Sequence, residues 1–169
     1  MDWSNNYFNI AGSNRSLRII QKTGGVVIVP VYENLFLLIA IKRVDGLLHW
    51  EFPRGFMEQG ENGEQAATRE LYEELNLTDI DSIQYIGTVM PDSGLIDANI
   101  NICSVKITDI SHIRLQKSEQ IIDYKLVTPS LLINMINNER ITDGFTMSAF
   151  LKWQLRSSCC SQNYKNNIK

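Results

Sequence analysis

The sequence has few of the residues on which disulfide-rich and zinc-binding proteins depend. Its 169 residues include only three cysteines and two histidines. Cys159 and Cys160 are adjacent and Cys103 stands alone, a spacing that matches neither a disulfide framework nor a zinc site. His49 and His112 are too isolated to indicate a metal site by themselves. We therefore expect a reduced, cytoplasmic protein that folds without disulfides or zinc.

Long apolar segments are also missing from the chain. No apolar run approaches the ~20 residues that a membrane-spanning helix needs. The N-terminal residues MDWSNNYF are polar and lack the basic and apolar regions of a signal peptide. The sequence therefore predicts no membrane association.

Positive charge is not in excess either. Lys and Arg number 16 against 19 for Asp and Glu, which gives a formal net charge of -3. Because nucleic-acid surfaces need clustered Lys and Arg, we expect no nucleic-acid partner. A small phosphate-bearing substrate stays compatible with this charge, since bound Mg²⁺ would reverse the local sign.

What the sequence does contain is a pattern of buried strands in a chain of single-domain size. Residues 26–31 and 35–41 are nearly continuous apolar runs with a short polar turn between them. Such runs are typical of strands buried on both faces, so they predict a mixed β-sheet between helices, an α/β/α sandwich. Further strands are predicted at 17–22, 47–52, 83–90, 98–107 and 121–127, and helices at 130–137 and 146–156. The polar stretch 108–120 is predicted to be a loop over the site.

Composition divides the chain into three parts. Residues 1–23 are interrupted by polar residues and are expected to form an arm or edge strand. Residues 24–156 carry all the strong patterns and are expected to form the domain. Residues 157–169 are polar without helical periodicity, so we expect a mobile tail.

The most informative stretch runs from Gly55 to Leu77. A loop is predicted to begin after Pro53, and a helix from about Gln65 to Leu75, where Gly and Pro are absent. The helix would bury one apolar stripe, formed by Ala67, Leu71 and Leu75. A neighbouring face carries three glutamates at i, i+3 and i+4, at positions 70, 73 and 74, which repel one another unless a cation intervenes.

This stretch resembles the Nudix box, Gly-x5-Glu-x7-Arg-Glu-U-x-Glu-Glu-x-Gly-U, where U is a bulky aliphatic residue. The matching residues are Gly55, Glu61, Arg69, Glu70, Leu71, Glu73, Glu74 and Leu77. The one departure is Asn76, where the family has Gly. Because Asn adopts left-handed backbone conformations more readily than most residues, we interpret Asn76 as a tolerated helix C-cap.

The resemblance implies a Mg²⁺-dependent hydrolase of nucleoside diphosphates linked to another moiety, with Mn²⁺ as a substitute metal. It implies Glu70 and Glu74 as the main metal ligands, Glu73 as a direct or water-mediated ligand, and the backbone carbonyl of Arg54 as a further one. Arg69 would orient the carboxylates. Glu61 would either brace the loop or contact a second metal ion.

The resemblance leaves the general base open. Gln120 falls at the position where related hydrolases carry a glutamate, and an amide cannot accept the proton. Glu119 would substitute if the loop shifts by one residue. The alternatives are that a glutamate of the box serves as the base, or that Glu119 is an exposed loop carboxylate.

Three short segments outside the box resemble ADP-ribose and ADP-sugar pyrophosphatases: residues 50–55, 87–94 and 141–146. This resemblance implies phosphate or ribose-phosphate contacts from Arg43 and Arg54, because a guanidinium can donate two parallel hydrogen bonds. It also implies a hydrogen bond from Glu51 to the base. Trp50 would stack on the base, unless it belongs to the core.

Two other functions and one assembly stay open from the sequence. The chain could hydrolyse nucleoside triphosphates or dinucleoside polyphosphates, or it could bind a nucleotide as a non-catalytic sensor. Against the sensor, the three box glutamates are all present, whereas sensor domains usually lose them. Related hydrolases pair as homodimers through an N-terminal sheet, but here only 23 residues precede Gly24, a short arm for that role.

Overall fold

The computed structural model describes residues 2–13, 16–116 and 120–166, and for 158–166 the backbone alone. Its strands are β1 (Trp3–Ser4), β2 (Phe8–Ser13), β3 (Ser16–Gln21), β4 (Gly25–Tyr32), β5 (Leu35–Lys42), β6 (Leu48–Glu51), β7 (Arg54–Phe56), β8 (Ile80–Val89), β9 (Ile96–Asp97), β10 (Ile100–Ile107) and β11 (Ile121–Val127). Its helices are α1 (Gly63–Leu75), α2 (Pro129–Asn137) and α3 (Gly144–Asn166).

The main sheet is mixed and has seven strands. Five follow the order β11-β5-β4-β10-β8, while β6 pairs with β5 and β7 pairs with β4. The β4–β10 pair is parallel and the other pairs are antiparallel. Consecutive residues of β4 and β5 are buried, as expected for strands covered on both faces. The predicted mixed sheet between helices is confirmed.

Two apolar clusters form the core, one on each face of this sheet. On one face, Ala67, Leu71 and Leu75 of α1 pack against alternate residues of β4, β5 and β10. On the other face, α2 and α3 supply Leu132, Met135, Ala149 and Phe150. The predicted apolar stripe of α1 is therefore buried, and its glutamate face is directed by that packing toward β7.

Both ends of α1 are capped by asparagine. The Asn62 side chain accepts a hydrogen bond from the Gln65 backbone N–H, and the Gln65 side chain accepts one from the Asn62 backbone, which completes a capping box. At the other end Asn76 has φ 54° and ψ 32°, a left-handed conformation. The interpretation of Asn76 as a left-handed C-cap is confirmed.

Because Asn adopts the left-handed conformation at a cost that Gly avoids, Asn76→Gly is expected to stabilise the protein by about 0.5 kcal/mol. Asn76→Ala is expected to destabilise it by about 1 kcal/mol, since alanine has no local side-chain hydrogen bond to offset the strain. Urea unfolding of the three proteins would measure both changes. A destabilised Asn76→Gly variant would show that the side-chain bond from Asn76 to the His112 carbonyl, at 3.4 Å, outweighs the backbone strain.

The N-terminal arm forms more structure than the sequence indicates. Strands β1, β2 and β3 form an antiparallel meander, and β9 joins it in parallel to β3, giving a separate four-stranded sheet. The short strand β9 comes from the segment after β8, so this pairing ties the arm to the main domain. Sequence patterns missed the pairing because β9 has only two residues.

Two predicted boundaries are wrong. The loop predicted to begin after Pro53 instead contains β7, because the backbone of Arg54–Phe56 pairs with Gly25–Val27 of β4. The last helix does not end at Arg156 but continues to Asn166, which includes most of the predicted tail. No Gly or Pro interrupts residues 145–166, so nothing local ends the helix there.

The polar segment after β10 has no regular structure as far as it is described, residues 108–116, in agreement with the prediction. It lies at the end of α1: the Arg114 N–H donates to the Leu75 carbonyl at 2.9 Å, and the Gln116 N–H donates to the Glu74 carbonyl at 3.1 Å. Among the described residues, none of the helices combines the length and the apolar character needed to cross a bilayer.

Candidate active site

The site is built where β7 meets the catalytic face of α1. A Cβ placed on Gly55 would overlap the carboxylate of Glu70, so the carboxylate occupies the space that any other residue at 55 would fill. Gly55 is thus required by a close approach between strand backbone and helix side chain. The approach puts the Glu70 oxygens beside the Arg54–Gly55 backbone.

Arg69 holds the acidic groups of the site together. Its guanidinium has five N–H donors, and all five are engaged. Nε and Nη2 donate to the two Glu61 oxygens at 2.8 and 2.9 Å, and Nη1 donates to Glu70 at 2.9 Å and to Glu73 at 2.8 Å. The remaining Nη2 bond goes to the Phe56 carbonyl at 2.7 Å. These bonds fix Arg69 between the carboxylates of Glu61, Glu70 and Glu73.

Glu61 lies at the centre of the loop between β7 and α1. Besides the two bonds from Arg69, it accepts a hydrogen bond from the Glu58 backbone N–H at 2.7 Å. The hydrogen bonds from Arg69 are the largest influence on the Glu61 carboxyl and hold its pKa below the usual value. Conversely, the Glu61 carboxylate raises the pKa of Arg69. These contacts are those of a loop brace, the first of the two roles considered for Glu61.

The three glutamates on the acidic face of α1, Glu70, Glu73 and Glu74, differ in exposure. Glu70 and Glu74 are buried, whereas the Glu73 side chain is 48% exposed. In the part of the chain that is described, no three His, Cys, Asp or Glu side chains already converge as a metal cluster. Mg²⁺ typically takes one or two carboxylates and completes its shell with water and substrate phosphates. The oxygen atoms of Glu70, Glu74 and the adjoining Arg54–Gly55 backbone are ligands that suit this preference of Mg²⁺.

A second group of charges is formed by Glu51 of β6, Arg54 of β7 and Arg43, which follows β5. Glu51 is buried and receives hydrogen bonds from two arginines: Arg43 Nε donates at 3.0 Å and Arg43 Nη2 to the other oxygen, while Arg54 Nε donates at 3.2 Å. Burial alone would raise the pKa of Glu51, but the two arginines outweigh it and lower the pKa. Glu51 is therefore ionised and paired, so its carboxylate fixes the positions of both guanidinium groups.

Arg54 is held from its other side by the segment before α3. Its Nη2 lies 3.8 Å from Asp143, and its guanidinium carbon lies 4.8 Å from the centroid of the Phe145 ring. Asp143 caps α3 by accepting hydrogen bonds from the Thr146 N–H at 2.8 Å and the Thr146 hydroxyl at 2.7 Å. The Thr146 hydroxyl in turn accepts from the Phe52 N–H at 3.0 Å.

The residues 141–146, noted only as a short family-like segment, thus have a physical role. They connect the start of α3 to the short segment between β6, which ends at Glu51, and β7, which begins at Arg54. Sequence reasoning assigned no function to Asp143 or Thr146, although the spacing of an acidic residue and a threonine three positions apart is a recognisable helix-cap signal.

Trp50 is half-buried and packs against the core, and the Lys125 ammonium lies 4.7 Å from its ring centroid. This position corresponds to the alternative in which Trp50 belongs to the core.

The candidate general base Glu119 lies outside the described residues. Gln120 is described, with φ 60°, and its carbonyl accepts a hydrogen bond from the Lys42 N–H at 3.2 Å.

The two charge groups meet on β7, where Arg54 directly precedes Gly55, the residue against which the Glu70 carboxylate lies. The carboxylates of Asp143 and Glu74 both act on Arg43 through space, in addition to its direct partner Glu51. Glu74 belongs to the acidic face of α1 and Arg43 to the arginine pair, so the two groups influence one another electrostatically.

A pocket of about 380 Å³ opens on the same end of the main sheet, between that sheet and the N-terminal one. It is lined by Ile20, Gln21, Lys22, Thr23, Gly24, Met57, Asp97, Asn99 and Asn101. Met57 directly follows β7, and Asn101 contacts the start of α1, where it lies close to Gly63. The pocket thus borders the end of β7 and the first residue of α1.

Replacing Glu51 by Gln is expected to destabilise the protein by about 2 kcal/mol, because two arginines would lose a charged hydrogen-bond partner. The loss should depend on pH. A carboxyl with a lowered folded-state pKa contributes stability above its unfolded pKa, near 4.5, and loses it as pH falls through the lower folded value. Urea unfolding from pH 7 to pH 3 should therefore show the difference between wild type and Glu51→Gln shrinking below about pH 4.5.

Comparison with known proteins identifies this arrangement. A sheet between helices with an acidic helix after a glycine loop defines the class of fold and site, and the family model described as NUDIX domain matches residues 22–146. The chain therefore belongs to the NUDIX family of hydrolases.

Solved structures agree on the fold. One, titled "Crystal structure of ADP compounds hydrolase", superposes with a TM-score of 0.70 at 17% sequence identity, covering 95% of this chain and 90% of that chain. Because the coverage exceeds the matched Nudix region, the likeness in fold includes the N-terminal sheet. A search of curated proteins finds no match to this sequence.

Proposed function

We propose that this protein is a Mg²⁺-dependent pyrophosphohydrolase whose preferred substrate is ADP-ribose or an ADP-sugar, cleaved to AMP and a sugar phosphate. The observation that carries the proposal is the meeting of two charge groups on β7: Arg54, held with Arg43 by Glu51, directly precedes Gly55, the residue against which the Glu70 carboxylate lies. A diphosphate needs both: cations to neutralise it and donors to orient it.

The chain's residues divide the work as follows. Glu70, Glu74 and the Arg54 carbonyl would hold the metal, with Glu73 at its edge, and the bound cation would supply charge neutralisation at the diphosphate. Arg69 and Glu61 keep the carboxylates in place. Arg43 and Arg54 face the diphosphate with guanidinium groups already oriented by Glu51. Water adds to one phosphorus, the bridging P–O bond breaks, and a carboxylate accepts the proton; Glu119 and the box glutamates are the candidates.

Two further points favour a substrate with a nucleoside end. The pocket at the end of β7 has a volume within the range of small-molecule sites, and its asparagine and aspartate side chains offer donors and acceptors to a base or sugar. The structural neighbour described as an ADP compounds hydrolase has the same fold over nearly the whole chain.

The test is a product analysis of a substrate panel with and without Mg²⁺. The panel would contain ADP-ribose, ADP-glucose, NADH, diadenosine polyphosphates, GDP-mannose and nucleoside triphosphates. We expect AMP and ribose 5-phosphate to form fastest from ADP-ribose, and EDTA to stop the reaction. Faster cleavage of a triphosphate or a dinucleoside polyphosphate would overturn the substrate assignment. If one compound binds tightly and no compound is turned over, the proposed hydrolase function is wrong and the protein is a nucleotide sensor.

A further inference from the structure

Two aromatic residues of the N-terminal sheet contact the strand that carries the active-site loop. The Tyr7 ring stacks on the Phe56 ring with 4.7 Å between centroids and 25° between planes. Phe8 meets the same ring edge-on at 5.4 Å and 81°. Both are favourable aromatic geometries, and together they hold Phe56 from two directions.

The two rings are themselves fixed by a local turn. The Asn5 side chain accepts hydrogen bonds from the Tyr7 N–H at 2.9 Å and the Phe8 N–H at 2.7 Å. The Tyr7 carbonyl accepts a bond from the Lys22 N–H at 2.9 Å, which ties the turn to the end of β3. The aromatic pair is therefore part of an ordered turn and not of a loose chain end.

Phe56 is directly connected to the acidic cluster. Its carbonyl accepts one of the five bonds from Arg69, and its neighbour Gly55 is the residue against which the Glu70 carboxylate lies. A displacement of Phe56 would change both contacts at once, because they involve consecutive residues of one strand.

From these contacts we infer that Tyr7 and Phe8 are positioning residues for the reaction: through Phe56 they hold the β7 backbone against Arg69 and Glu70. The inference rests on the proposed hydrolase function. It gives the N-terminal sheet a role in setting the geometry of the carboxylates without contact to substrate, and it predicts an effect on turnover and not on substrate affinity.

The test compares Tyr7→Ala, Tyr7→Phe, Phe56→Ala and the double variant Tyr7→Ala/Phe56→Ala on whichever substrate the wild type cleaves. We expect Tyr7→Ala to lower kcat about tenfold with KM within twofold of wild type, because small misplacements of catalytic groups reduce the rate strongly. Tyr7→Phe, which keeps the ring, should restore kcat. The double variant should be no slower than the slower single variant, since either single change already removes the contact between the Tyr7 and Phe56 rings.

Trp3→Ala is the matched control. Trp3 lies on β1 of the same sheet, is half exposed, and takes part in none of the aromatic contacts made by the described residues. It should leave kcat unchanged. An increase in KM alone for Tyr7→Ala, or failure of Tyr7→Phe to restore kcat, would overturn the inference.

A measurement without turnover separates this inference from the proposed function. In a ¹⁵N spectrum, the Nε–H signal of Arg69, assigned with Arg69→Lys, reports its bond to Glu61. We expect Tyr7→Ala to shift or broaden this signal and Trp3→Ala to leave it in place. An unchanged signal in Tyr7→Ala would overturn the inference even for an active enzyme. An inactive wild type would contradict the proposed function while this spectral result still stood.

Discussion

Replacing Glu74 by Gln is expected to reduce Mg²⁺-dependent turnover by about 10³-fold while the protein stays folded. The amide keeps the shape of the side chain but removes the negative charge that a hard cation requires. Metal-ion charge stabilisation contributes several kcal/mol to the transition state, and each 1.36 kcal/mol is tenfold in rate. Steady-state kinetics over a Mg²⁺ titration would show whether the loss lies in kcat or can be recovered by excess metal.

Glu64→Gln is the matched control for this prediction. Glu64 lies in the first turn of the same helix, where its carboxylate accepts a long hydrogen bond, 3.4 Å, from the Tyr85 N–H and not from Arg69. The control removes the same charge from the same helix, so its activity should stay within about twofold of wild type. Equal losses in Glu64→Gln and Glu74→Gln would point to helix electrostatics in general, and full activity of Glu74→Gln would show that the metal face is wrongly assigned.

The parts of this fold that the sequence predicts well are those in which a local pattern and a buried face coincide. The apolar runs of β4 and β5 indicate strands covered on both faces, and the stripe of Ala67, Leu71 and Leu75 indicates the packed side of α1. Each depends on periodicity within a few residues. The position of Asn76 is predictable for the same reason, since the helix ends where its own backbone must turn.

The parts that the sequence misses depend on pairing between distant residues. Strand β7 is only three residues long and forms because it can pair with the edge of β4. Strand β9 forms in the same way, by pairing with the edge of β3. Neither edge is visible in the local sequence. The extension of α3 is not indicated by the sequence because its polar residues lack helical periodicity, although no helix-breaking residue is present.

The candidate site shows the same division between local and distant information. The box spacing identifies Arg69 and the glutamates of α1, because they share one helix. It cannot indicate that Glu51 is buried between Arg43 and Arg54, since Arg43 follows β5, Glu51 ends β6 and Arg54 begins β7. The pairing with two arginines bears on the hydrogen bond expected between Glu51 and a base, because the oxygens of Glu51 already accept three guanidinium bonds.

Gly55→Ala is expected to cause the other large loss of activity, on the order of 10²-fold in kcat, with little change in stability. The added methyl group would overlap the Glu70 carboxylate. The overlapping atoms are the end of a flexible side chain, so Glu70 can rotate away at small cost and the fold survives. The carboxylate would then leave the Arg54–Gly55 backbone and the bond from Arg69, and the oxygen set beside β7 would be lost.

Gly144→Ala is the control for an added methyl group, because a Cβ at this position, the first residue of α3, meets no atom within 4 Å. Thermal unfolding should place both variants within a few degrees of wild type, and only Gly55→Ala should lose kcat. If Gly55→Ala unfolds at a much lower temperature than wild type, the added methyl group has displaced strand β7 and not the Glu70 carboxylate. If it keeps both its stability and its kcat, Glu70 does not need to lie against β7 for the reaction, and the metal set would have to be built from Glu74 and Glu73 instead.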